Sequence, residues 1–277
     1  MAPPSADTFP ITTGDESPAK STSASRLSGP LKYSGSLDEY ESFDLTPVIG
    51  REFSSTLQLS EILHDDAKIR DLGTIVSQRG VVFLRNQDLN ISDQKSLAIK
   101  IGHLTGRPQA SYLHKHPLSN GKRRLVVGSD GKVDDEVTIM SSEQNKKMYK
   151  GRCGSISFEP VPSDYAILKI VTLPEDTALL FAAGFQIRAG WIDEVTDYES
   201  EMLKSYFLKL ISENHDLQVR FRWSENDIAI WDNRSVFHTA VYDYNGTRVG
   251  NRVVSLGERP IYDPDSTSRR EALGLKA

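Results

Sequence analysis

Six histidines, at positions 64, 103, 114, 116, 215 and 238, are the side chains best able to hold a metal or move a proton near neutrality. His64-Asp65-Asp66 contains an H-x-D triplet, whose first and third side chains would share a face on a strand. The surrounding pattern is helical, where i and i+2 diverge, so a metal pair is not expected there. His114-Lys115-His116 has the same spacing beside Pro117 and could serve zinc, copper or iron. No carboxylate stands at useful spacing next to it, so an exposed polar loop is the expectation and a zinc site the minor rival. His238 follows Trp231-Asp-Asn-Arg-Ser-Val-Phe, a β-rich run that ends in a turn-like Asp-Asn. Arg248 and Arg252 come ten and fourteen residues later. Arg252 is expected to open the apolar strand Val253-Val-Ser-Leu256, and an arginine there needs an anionic partner. By spacing alone, a ligand carboxylate held by the guanidinium fork and a structural salt bridge are equally good partners.

The elements that must position these groups are legible in outline. Residues 59–78 carry apolar side chains at the spacing of one or two amphipathic helices, and Gly80 breaks the pattern. Val81-Val-Phe-Leu84 reads as a buried strand. Ser92 can cap a helix holding Leu97, Ile101 and Leu104. Tyr165–Ile170 is a strand candidate. Thr196-Asp-Tyr-Glu199 is a capping box ahead of a helix over 198–213. Alternating Val219, Phe221 and Trp223, then Asp227–Trp231 and Arg252–Leu256, give three further strands. Helices first and strands clustered late fit an α+β fold with an antiparallel β core.

Composition narrows the class. The chain has 277 residues, 38% of them hydrophobic, enough for a sizeable core. Its longest apolar run is Ala178–Ala183, where a membrane span needs ~20 residues. The formal charge of −5 offers no basic excess for nucleic acid or an anionic membrane. The single cysteine, Cys153, excludes an internal disulfide and a Cys-rich zinc site. Of the first 36 residues, 20 are Ser, Thr, Pro or Gly, so residues 1–42 are expected to be a disordered tail and 43–277 one domain. The tail has no apolar core of a secretory signal, which makes the cytoplasm the expected compartment, and the sequons at Asn90, Asn233 and Asn245 chance matches.

Several long blocks together resemble the TauD/TfdA family of Fe(II)- and 2-oxoglutarate-dependent dioxygenases, in particular the fungal sulfonate or taurine dioxygenase-like branch. They are Thr46-Pro-Val-Ile-Gly-Arg-Glu-Phe53, Arg79-Gly-Val-Val-Phe-Leu-Arg-Asn-Gln-Asp88, Ser141-Ser-Glu-Gln-Asn-Lys-Lys147, Phe158–Lys169, Asn214–Trp223, Ile230–His238 and Arg252–Pro260. The resemblance implies a double-stranded β-helix, a jelly-roll of two sheets with helices outside, over roughly residues 45–272. It implies Fe(II), 2-oxoglutarate, O2 and a small, anionic organic substrate such as a sulfonate. Oligomeric state is left open, a homo-oligomer included. His238 carries over as the distal iron ligand. Arg252 carries over as the clamp on the far carboxylate of 2-oxoglutarate, with Arg248 as its auxiliary and Thr177 as a further contact.

Two departures from the pattern bear on activity. The family's H-x-D metal pair falls at Cys153-Gly154-Ser155, which keeps the spacing and loses both ligands. A shortened block over Thr172–Thr177 runs straight into Leu180–Arg188, which resembles a segment the family places much later. An internal piece of core and lid is therefore expected to be missing. The resemblance predicts a dioxygenase, and the departures a rival: a catalytically impaired relative, whether a pseudoenzyme or a mis-assembled gene product. A β-sandwich with an exposed edge or gap near 172–190 is the architectural expectation.

Overall fold

The computed structural model describes residue 27 and residues 29–109, 111–115, 134–142, 161–173, 178–181, 191–240, 246–259, 264–272 and 274, with backbone alone at 178–181, 239–240 and 269–270. In chain order these form β1 (Ser42–Asp44), β2 (Arg51–Phe53), α1 (Leu59–Ile62), α2 (Asp66–Arg79), β3 (Val81–Leu84), α3 (Ile91–Leu104), β4 (Val137–Ser141), β5 (Ser163–Thr172) and β6 (Ala178–Phe181). Then come α4 (Asp197–Ser212), a 3-10 turn (His215–Leu217), β7 (Val219–Arg222), β8 (Ile228–Asp232), β9 (Thr239–Ala240), β10 (Val249–Leu256) and α5 (Arg269–Ala272).

The strands make a seven-stranded sheet ordered β1-β2-β3-β8-β5-β10-β4 and a three-stranded sheet ordered β7-β6-β9. Pairing is antiparallel throughout except between β2 and β3. Two apolar layers explain the arrangement. On the outer face of the large sheet, Val82, Tyr165, Ile167, Ile230 and Val253 pack against Leu72, Ile75, Val76, Leu97 and Ile101 of α2 and α3. On the inner face, Phe83, Ala166, Leu168, Trp231 and Val254 meet Val219, Phe221 and Trp223 of β7 and the residue after it. The Phe83 and Phe221 rings stack with centroids 3.8 Å apart, joining the two sheets. Strand β8 is covered on both sides, so it reads as a continuous run, Ile-Ala-Ile-Trp. Strand β7 has one face in solvent and alternates Val-Arg-Phe-Arg.

Local chemistry sets the turns. Asp65 caps α2 by accepting the N–H groups of Ala67 and Lys68. Gly80 ends that helix at φ +72°, and a Cβ there would lie 2.5 Å from Val236 Cγ1. Only glycine allows so tight a reversal into β3 beneath that side chain. Helix α3 is capped by Asn90, whose side chain accepts the Asp93 N–H, and not by the expected Ser92. The Thr196/Glu199 capping box at α4 is present. At the head of β8, Asp227 is fully buried; its carboxylate accepts from Arg85 Nη1 at 2.6 Å and from the backbone N–H groups of Asn86 and Ser224. Arg85 also pairs with Glu52 of β2, so this cluster ties three strands together.

Residues 33–40, within the stretch expected to be tail, pack onto the fold. Leu37 is in the core, and the buried Asp71 of α2 accepts the backbone N–H and hydroxyl of both Ser34 and Ser36. Burial alone would raise the Asp71 carboxyl, but those hydrogen bonds outweigh it and hold it below its ordinary value. Stability from a depressed carboxyl is complete above its unfolded pKa near ~4 and is lost as pH falls through the lower folded value. Asp71→Ala is expected to cost about 2 kcal/mol and to free this strap. Hydrogen exchange should then show amides 33–40 losing protection while those of β5 and β8 keep theirs; in the parent chain the same loss is expected only below ~pH 4.

Candidate active site

Arg252, the residue expected to act as the clamp, lies on the inner face of the large sheet. Strand β10 begins at Val249 rather than at Arg252, because residues 249–251 already pair with β4 and β5. Arg252 is thus mid-strand, opposite Thr138 of β4 and Leu168 of β5. Alternation puts it on the same face as Val254, which lies in the inner core, while Val253 lies in the outer one. From α3, the buried Gln94 donates its Nε2 to the carbonyls of Ile167 and Asn251, fixing β5 and β10 to each other one residue from Arg252.

His238 comes from the opposite side. It immediately precedes β9 of the small sheet, whereas Arg252 belongs to the large one. Its ring lies 4.7 Å from Trp231, centroid to centroid. Burial first, and then the positive charge of Arg252, push the imidazole down to about 3, so it is neutral at physiological pH. The turn that delivers it is locked. The carboxylate of Asp232 accepts from the Arg234 backbone N–H, Nε and Nη2, and Trp231 Nε1 donates to Asn233. Arg234 also lies over the Tyr165 ring, 5.1 Å from its centroid, which pins the turn to the outer layer.

Arg248 is buried just before β10, its backbone N–H donated to Ser142 Oγ and its guanidinium 6.0 Å from the Trp223 ring centroid. Trp231, Trp223 and Gln94 were not singled out by sequence. Their signal was weak, since a buried aromatic or glutamine reads first as core.

Cys153, Ser155 and Thr177 lie outside the described residues, as does His116. His114 sits beside the end of β10, its N–H donated to Val254 O. His64 is exposed, and Asp66 pairs with Lys100 at 2.7 Å, leaving no H-x-D site there. Among the described residues no group of three or more His, Cys, Asp or Glu could hold a metal, and no helix is long and apolar enough to cross a membrane. By residue type, Cys153, Ser155 and His238 at the three positions that the resemblance assigns to iron do not make up a facial triad. His238 is a neutral imidazole suited to ligation, with the Arg252 cation acting on it, and the sequence supplies Cys153 and Ser155 where a facial triad needs imidazole and carboxylate. An inner-face guanidinium between apolar sheets does fit a ligand carboxylate.

A family model, described as "Taurine catabolism dioxygenase TauD, TfdA family", matches residues 41–176 and 172–254. The chain is 35% identical to the alpha-ketoglutarate-dependent dioxygenase btcD of Neocamarosporium betae, over 88% of this chain and 98% of that one. It is 24% identical to an alpha-ketoglutarate-dependent sulfonate dioxygenase of Saccharomyces cerevisiae, over 79% of this chain and 67% of that one. In fold it is similar to a taurine dioxygenase structure from Burkholderia xenovorans, with a TM-score of 0.54 at 19% identity over 79% of this chain and 91% of the other. The alignment with btcD runs to 344 positions but draws on 88% of 277 residues, about 244. Roughly 100 positions of that relative thus stand opposite a gap here. The family match falls into two parts that overlap at residues 172–176, within the block whose resemblance to the family is to a shortened one.

Proposed function

This chain belongs to the TauD, TfdA family of dioxygenases, and from that premise we propose that it is a 2-oxoglutarate-dependent oxidoreductase of that type, directed at a small anionic organic molecule such as a sulfonate. The observation that carries the reading is Arg252 on the inner face of β10, with His238 at the edge of the other sheet and close enough for the Arg252 charge to act on its imidazole. Arg252 would hold the far carboxylate of the cosubstrate by its fork, with Arg248 adding positive charge nearby. Trp231 would keep the His238 ring oriented and water away from it. Fe(II) is the cofactor that the family implies, with O2 as co-reactant, and of that family's ligand types this chain would offer it the His238 imidazole; Thr177 is a further candidate contact to 2-oxoglutarate.

Calorimetric titration with 2-oxoglutarate tests the clamp without any turnover. The parent chain should bind it, and Arg252→Gln should weaken binding about 100-fold, the scale of losing a buried charge-assisted pair. Equal affinities in the two proteins would remove the assignment.

A second reading rests on a specific observation, the Cys153-Gly154-Ser155 sequence together with the ~100 missing positions. In this reading the cosubstrate pocket persists and iron-dependent turnover is impaired. Micromolar Fe(II) binding with steady succinate release under O2 would exclude it.

A further inference from the structure

Two serine hydroxyls end on one fully buried carboxylate. Asp71 Oδ2 accepts Ser34 Oγ and Ser36 Oγ at 2.8 Å each and the Ser36 N–H at 3.0 Å, and Oδ1 accepts the Ser34 N–H at 3.0 Å. Gly35 lies between the serines at φ +89°, a left-handed turn that brings both round to the same side chain. Beyond these bonds the strap is held by Leu37 in the core, with Tyr33 and Tyr40 packed against it. The Lys68–Glu39 pair adds a contact whose acid is largely exposed, and such pairs contribute little. Leu27, Pro30 and Leu31 form one wall of a cavity of about 200 Å³, and Ser77, Tyr165 and Arg234 form another. Arg234 is the side chain that fastens the turn before His238 to Asp232.

We propose that Ser36 is a phosphorylation site, and that its phosphate releases the strap over residues 29–40. Recognition is carried by the residues that follow. Leu37-Asp38-Glu39-Tyr40-Glu41 sets carboxylates two, three and five positions after Ser36, all three on exposed residues, which suits a serine kinase with a basic peptide groove. Ser34 has no carboxylate within the three positions after it. The kinase acts on chains whose strap has opened locally. Ser36 Oγ loses its proton and takes the γ-phosphoryl group of ATP as ADP departs. The modified oxygen no longer donates, and a group of charge near −2 is repelled from a buried carboxylate whose hydrogen-bond partners are all neutral. Release of the strap opens the cavity wall at Tyr165 and Arg234 to water, so a change at position 36 is felt at the turn that delivers His238.

Hydrogen exchange on the full chain, with phosphoserine placed at position 36 during translation, tests the release. Amides 33–40 should exchange at least tenfold faster than in the unmodified chain, and those of Arg234 and Val236 about threefold faster, with β8 unchanged. Ser36→Ala keeps the backbone bond to Asp71 and should give a clearly smaller change, which separates the added charge from the lost hydroxyl. Recognition is tested with ATP and an acid-directed serine kinase, the phosphate being located by peptide mass spectrometry. Asp71→Ala, with its strap free, should be modified at Ser36 at least tenfold faster than the parent, and adding Glu39→Gln should slow it at least fivefold. Unchanged protection of 33–40 in the phosphoprotein, an equal change in Ser36→Ala, or phosphate at other serines but not at Ser36 in the Asp71→Ala chain would overturn the proposal.

Discussion

Fe(II) should bind at least ~100-fold more tightly to the double variant Cys153→His, Ser155→Asp than to the parent chain. The reasoning is a count of donors. His238 supplies one neutral imidazole, and the family's three-ligand set needs a second imidazole and a carboxylate at the positions now held by a thiol and a hydroxyl. Loss of partners merely hydrogen-bonded to ligands costs 10–100-fold in metal affinity, so restoring two ligands should exceed that. A thiol also binds only as thiolate, at a free pKa of ~8.5, so any contribution from Cys153 in the parent should grow as pH rises from 7 to 9, while a His/Asp pair should be nearly flat over that range. Anaerobic titration at both pH values measures this. If the double variant gains iron affinity but releases no succinate, the ~100 missing positions and not the ligand pair limit turnover. No gain at all would refute the assignment of those two positions.

Asp227→Ala should destabilise the fold by about 4 kcal/mol. The carboxylate is fully buried and accepts from Arg85 Nη1 and from two backbone N–H groups. Alanine would strand both amides and leave Arg85 only Glu52 to offset its charge. Breaking buried pairs of this kind costs 3–5 kcal/mol, a large fraction of a stability of ~5–15 kcal/mol. The urea midpoint should fall by about 1.5 M. Asp227→Asn keeps one acceptor and should lie between the two; an Asn variant as unstable as Ala would mean that charge, rather than hydrogen bonding, dominates.

The elements were legible where one physical signal governs a segment. The 3.6-residue spacing of Leu97 and Ile101 marks α3, the capping box marks α4, and the alternation of Val219 and Phe221 marks β7. Boundaries were less so. Arg252 looked like a strand opener because Gly250 and Asn251 are poor β formers, yet pairing on both sides carries β10 back to Val249. Ser92 and Asn90 are both good caps, and only the backbone decides between them. The strap at Ser34 and Ser36 has tail-like composition and is ordered by one distant carboxylate, which no local pattern reveals. Of the site, His238 and Arg252 followed from a family resemblance, but their placement on opposite sheets depends on the path of the Asp232–Val236 turn.

Strand order also constrains how the chain can fold as it is made. In the large sheet β3 neighbours β8, and β5 lies between β8 and β10. Since β3 ends at Leu84 and β8 begins at Ile228, a ribosome adding ~5–20 residues per second needs roughly 7–30 s to deliver the partner that β3 requires. During that interval Val81-Val-Phe-Leu84, apolar on both faces, has one bonding edge vacant. That wait should make the nascent chain dependent on chaperone holding, and synonymous slowing of translation between codons 84 and 228 should lower soluble yield without altering the stability of the molecules that do fold.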